Sequence, residues 1–157
     1  MLKPGNTKLL TIVWLSLLTG TLDAMAAIII SYPATPGQIF RYIASGLFGK
    51  AAFTGNHMIF WGVLFHYLIA TTFSVVFFVL YPNFKRILKN KYMAGILYGF
   101  IIWVVMNIAV LPLSNVPKQA GQVNLIAVIT SLTAIIICIG LPVSLTVTKY
   151  YRKKRLY

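Results

Sequence analysis

The stretch LIAVITSLTAIIICIGLPVSLTVT, Leu125 to Thr148, runs for 24 residues without one Asp, Glu, Lys or Arg. At 1.5 Å of rise per residue, an α-helix of that length reaches about 36 Å, which exceeds the ~30 Å hydrocarbon core of a bilayer. Working outward, similar apolar runs extend from Leu9 to Tyr32, interrupted only by Asp23, from Met58 to Tyr81 and, over 19 residues or about 28 Å, from Met93 to Leu111. No Lys or Arg lies inside any of the four. Across 157 residues, 59% are hydrophobic and only 10% charged, and those charges are clustered rather than spread over a surface. A soluble domain of this size could not be covered by so few. The expected fold is therefore an all-α integral membrane domain spanning 1–157, with four transmembrane helices.

The connecting segments predict an orientation. Lys3 and Lys8 precede the first run; Lys85, Arg86, Lys89 and Lys91 lie between the second and third; Lys149, Arg152, Lys153, Lys154 and Arg155 follow the fourth. Only Arg41, Lys50 and Lys118 fall on the opposite side. The positive-inside rule places both termini in the cytoplasm. Tyr81, Tyr92, Tyr150 and Tyr151 suit the inner boundary, and Tyr32 and Trp61 the outer one. A cleavable leader is the rival reading, with Lys3, Lys8, an apolar run and then Ala24-Met25-Ala26. The run continues through Ile28-Ile29-Ile30, and Asp23 sits beside the would-be cleavage site, which favours a membrane anchor.

Between the first two spans, Thr35-Pro36-Gly37-Gln38 has the form of a capping box with proline at the first helical position. The segment Pro36 to Gly49 reads as a short amphipathic helix lying in the outer interface. Ile39, Phe40, Ile43, Ala44, Leu47 and Phe48 form its apolar face, opposite Gln38, Arg41, Tyr42 and Ser45. No connection is long enough to form a water-soluble domain, so any site belongs in or between the helices.

Asp23 is the only acid in the chain. An ionised Asp within a span costs about 2.5–3.5 kcal/mol on insertion scales, so it should face protein or water. Ser16, Thr19, Gly20, Asp23, Ala26 and Ala27 line one stripe of the first helix, and Leu15, Leu18, Leu22, Met25 and Ile29 the opposite one. His66 is the expected partner. Asp23 lies nine residues before Tyr32 and His66 nine after His57, so both sit roughly 13 Å below the outer boundary. His66 shares a row of small or polar residues with Gly62, Ala70 and Ser74. On the third helix Gly95, Gly99, Trp103 and Asn107 form a row that opens with GxxxG spacing, and Thr133 or Ser131 of the fourth could complete a polar cluster. Gly20, Gly62, Gly95 and Gly99 are the expected points of close helix packing.

Histidine titrates near neutral pH, so an Asp23–His66 pair suits a proton or cation site. The plain alternative is an interhelical polar clamp, worth about 1 kcal/mol. No metal or cofactor is expected, because His57 and His66 are too far apart in depth, and Cys138 is the sole cysteine. Arg152, Lys153, Lys154 and Arg155 suit anionic lipid headgroups. Their position at span ends argues against a nucleic-acid partner despite a formal charge of +13.

The residues Gly20-Thr21-Leu22-Asp23-Ala24, Ile43 to Gly49, Ala52-Phe53-Thr54-Gly55, Phe65-His66-Tyr67 and Tyr98-Gly99 through Pro112-Leu113 resemble the YagU-like small bacterial four-helix inner-membrane proteins of unknown function. The resemblance implies a bacterial plasma-membrane location and supplies no activity. Function is expected to be that of a homo-oligomeric transporter or channel-like protein for a small molecule or ion. The alternative is a non-catalytic module that binds a protein partner or membrane lipids. An enzyme is not expected: no Ser–His–acid set, metal cluster, cysteine pair or phosphate loop is visible.

Overall fold

The computed structural model describes residues 4–117 and 124–154, with side chains over 8–117 and 124–152. α1 is Pro4–Ile30, α2 is Pro36–Phe48 and α3 is His57–Ile87. α4 is regular over Lys91–Val105 and continues through a π turn, Met106–Val110, into a last turn, Leu111–Leu113. α5 runs over Leu125–Ile135, passes a π turn at Ile136–Gly140 and ends with Leu141–Lys154. α1, α3, α4 and α5 are each long and apolar enough to cross a membrane. No strand occurs among the described residues.

Around the bundle the order is α1, α3, α4, α5, with α5 closing back on α1. α1 starts and α5 finishes at one end, here called the termini end, and α2 lies at the other. Near the termini end the bundle is filled by rings. Phe77 packs at a tilt on Tyr98 (centroids 4.6 Å), Tyr81 stacks on Tyr151 (4.8 Å) and Phe78 meets Tyr150 edge-on (5.1 Å). Leu15, Ile102, Ile139, Val143 and Val147 complete this core. Leu15 corrects the expected lipid-facing stripe, since it is fully buried. It precedes Thr19 by four residues, which turns it only about 40° from that buried position.

Glycine sets the closest crossings. A Cβ on Gly140 would lie 2.3 Å from the Gly95 carbonyl oxygen and 3.0 Å from Gly99 Cα, so α4 and α5 touch backbone to backbone. A Cβ on Gly62 would come within 1.9 Å of the Phe40 carbonyl oxygen, so α3 receives α2 directly on its backbone. Gly20 instead faces the Tyr67 ring and Ala70.

α2 starts with the capping box its sequence predicts. The Gln38 amide donates to Thr35 Oγ1 (3.4 Å), and the Thr35 amide to Gln38 Oε1 (2.7 Å). Its polar face is not as expected. Ser45 is fully buried beside Ala44 and donates to the Tyr42 carbonyl (2.6 Å). Contact with α3 hides that side of the helix, and a hydroxyl satisfied by its own turn loses nothing there. The far end of α2 is tied to the segment after α4. The Asn115 amide donates to the Gly46 carbonyl (2.9 Å), and Asn115 Nδ2 to the Leu47 carbonyl (3.1 Å).

Candidate functional site

Above the aromatic core the helices border a partly open cavity of about 470 Å³. α1 lines it with Asp23, Ala24 and Ala27, and α3 with Phe65, His66, Ile69 and Phe73. Phe40, Tyr42 and Ile43 of α2 close its far end, while Met106 and Val110 of α4 and Ile135 and Ile139 of α5 form the remaining walls. The lining is apolar except for a few groups, chiefly Asp23, His66, Tyr42 and Ser114.

His66 belongs to the buried row Gly62, His66, Ala70, Ser74 of α3. Its Nε2 lies 2.7 Å from the Gly20 carbonyl oxygen of α1. A carbonyl only accepts, so Nε2 donates and carries a proton. Nδ1 has no hydrogen-bond partner among the described residues. The imidazole is held edge-on by Phe40 (6.1 Å) and Tyr67 (5.5 Å).

Asp23 lies one turn further along α1 and is half-buried. The expected Asp23–His66 hydrogen bond or ion pair does not form. The imidazole is spent on the backbone of Gly20, and among the described residues the Asp23 carboxylate has no hydrogen bond or ion pair at all. The two side chains instead share the wall of one apolar cavity, each with a free polar atom. No known family, curated protein or solved structure matches the chain.

Asn107 and Thr133 do not join them. Asn107 is exposed and donates from Nδ2 to the Trp103 carbonyl (2.8 Å); Thr133 is exposed as well, and neither lines the cavity. Two causes act together. A row spaced by four drifts about 40° per step, so Asn107 stands about 120° away from Gly95. The π turn of α5 then adds a residue between Thr133 and Gly140, which rotates the preceding segment by roughly a further 100°. Ser131 does find a partner on α4, accepting from Trp103 Nε1 (3.0 Å). Of the four glycines expected at packing points, Gly95 and Gly99 meet α5, Gly20 meets a side chain of α3, and Gly62 meets α2 rather than α1.

Among the described residues no group of three or more His, Cys, Asp or Glu gathers where a metal could bind. His57 is the first residue of α3, and the preceding Asn56 accepts from Arg41 Nη2 (2.7 Å) instead of capping the helix. Arg155 lies outside the described residues, as do the side chains of Lys153 and Lys154. Arg152 is exposed at the termini end, where it borders a second cavity with Lys85, Lys89 and Lys91. Sequence reasoning missed that grouping, because three of its members sit around the α3–α4 connection and were assigned only a topological role.

Proposed function

We propose that the chain is a multi-pass protein of the bacterial plasma membrane, with both termini cytoplasmic and α2 in the outer interface, that binds and carries a proton or cation at Asp23 and His66. The observation that carries this reading is the Asp23 carboxylate, which faces a largely apolar cavity with His66 as its charged neighbour but with no hydrogen bond or close ion pair among the described residues. A purely structural clamp would have satisfied it. The asymmetry of the bundle also favours a carrier over an open channel: the cavity lies toward α2, and aromatic rings fill the path to the termini end.

The walls narrow the choice of cation. Metal cations take six or more oxygen ligands for calcium and near-octahedral oxygens for magnesium. Here one carboxylate and two hydroxyls are the main oxygens on offer, and Ser114 already donates to the Leu111 carbonyl. A proton, or an ammonium carrying its own apolar body, fits better. Phe40, Phe65 and Phe73 present rings to such a body, and the volume is within the range of small-molecule sites.

The test is transport by purified chain in liposomes, following proton flux with an entrapped pH dye and uptake of benzyltriethylammonium. Asp23→Asn keeps the shape and removes the charge. It should cut flux at least about ten-fold, the least that loss of one ion pair at low dielectric produces. Unchanged flux of both would overturn the proposal. Assembly as a homo-oligomer belongs to the same reading. Cysteine crosslinking in membranes through the exposed α1 face at Val13 and Trp14 would reveal it.

A further inference from the structure

Four cations surround a hollow of about 270 Å³ at the termini end: Lys85 of α3, Lys89 of the connection, Lys91 at the start of α4 and Arg152 of α5. All four are exposed, so water screens their mutual repulsion, but an anion seated among these charges from three helices would be attracted by all of them. The protein has no side chain to supply it, since its single acid, Asp23, lines the other cavity. Among the described residues none of these four forms an ion pair. Lys91 contributes a cation–π contact with Tyr92 (5.0 Å) and nothing of opposite charge.

Two hydroxyls point to the same conclusion independently of charge. Tyr81 is only 5% exposed, lines this hollow, and its hydroxyl has no hydrogen-bond partner among the described residues. The hydroxyl of Thr148, also on the wall, has none either. The Tyr81 ring is thus buried while its hydroxyl stays accessible at the hollow, with the half-buried Thr148 beside it, and both hydroxyls are free to donate. The first turn of α4 borders the hollow as well, with the positive end of its helix dipole. Every polar side chain here can donate, which is the complement of a phosphate, whose ionised oxygens accept.

We propose that this hollow is a discrete phosphate-binding site that holds the headgroup of an anionic phospholipid. A free phosphate has the same chemistry, so the test separates the two sources. Leu88 and Ala94 give the site an apolar margin suited to a lipid. The phosphate site stands independently of the cation cavity, and only the lipid source rests on the membrane reading.

The experiment is native mass spectrometry of the full chain, delipidated in a neutral detergent and titrated with dioleoylphosphatidylglycerol, dioleoylphosphatidylcholine or inorganic phosphate. One phosphatidylglycerol per chain should be retained in preference to phosphatidylcholine. Lys89→Gln with Arg152→Gln should weaken retention about thirty-fold, from roughly five-fold per charge. Tyr81→Phe, which alters no charge, should weaken it several-fold. Lys8→Gln with Lys149→Gln removes as much charge away from the hollow and should leave retention near that of the parent. The side chains exchanged in these pairs are exposed, and circular dichroism checks that each variant stays helical. Displacement of the lipid by equimolar inorganic phosphate would retain the phosphate site and assign it to the free ion. Equal retention of the two lipids, or equal losses in the two double variants, would overturn the site.

Discussion

Gly62→Ala is the sharpest single probe of how α2 closes the cavity at Asp23 and His66. The new methyl would stand 1.9 Å from the Phe40 carbonyl oxygen, 2.5 Å from its carbon and 2.9 Å from its Cα. All three atoms are backbone, so no rotamer change relieves the clash, and α2 must withdraw by about 1 Å or more. Overpacking costs about 1–3 kcal/mol, and a rigid obstacle puts this case at the upper end. Replacing a helical glycine by alanine returns about 1 kcal/mol, which leaves a net loss of about 2 kcal/mol. For a chain of this size that lowers the thermal midpoint by about 4–8 °C. Thermal unfolding in detergent, followed by far-ultraviolet circular dichroism, measures it. Gly46→Ala is the control, because its methyl would find Ser114 Cβ at 3.8 Å and Val116 Cγ2 at 3.9 Å, ordinary contact distances. It should leave the midpoint within about 2 °C or raise it. Equal midpoints for Gly62→Ala and the parent protein, or equal losses for both variants, would refute the direct seating of α2 on α3.

Other perturbations follow from the same contacts. Gly140→Ala drives a methyl against the Gly95 carbonyl oxygen and should destabilise the α4–α5 crossing by about 2 kcal/mol in detergent unfolding. A double-mutant cycle of Trp103→Phe and Ser131→Ala should give a coupling of about 0.6 kcal/mol, the average for such interhelical bonds, and zero coupling would show that the bond seen here is not made in detergent. Asn115→Ala removes the bond to the Leu47 carbonyl and should speed amide hydrogen exchange in α2 about five-fold, with protection in α3 unchanged. Tyr98→Phe removes the bond from Tyr98 to the Phe73 carbonyl, which keeps its helical bond within α3, and should cost about 1 kcal/mol in detergent unfolding.

The four long helices were legible because their signal is long and redundant: a largely apolar run of 19 to 24 residues without Lys or Arg cannot be misread by a shift of one or two. The capping box before α2 was equally local. The cavity at Asp23 and His66 was legible only in part. Asp23 and His66 were placed on seams that line one space, yet the bond His66 makes is to the Gly20 carbonyl, and a backbone acceptor leaves no mark in a sequence of side chains. Asn107 and Thr133 were lost for another reason. Face assignments assume 3.6 residues per turn, and each of these residues lies in or beside a helix where a π turn breaks that count. Ser45 was misread because a hydroxyl that serves its own turn can be buried as readily as an alanine. The anion-binding hollow was hidden by distance, since Lys85 and Arg152 are far apart in sequence and only the packing of α3 against α5 makes them neighbours.

The two π turns give α4 and α5 a property the other helices lack. Each stores one surplus residue within an otherwise regular rod. The residues on its N-terminal side are thereby screwed round by about 100° from where an unbroken helix would hold them. Met106, Val110 and Ile139 lie within these turns and line the chamber. Which side chains the chamber meets is therefore set by where each π turn falls as much as by where the helices stand in the bundle.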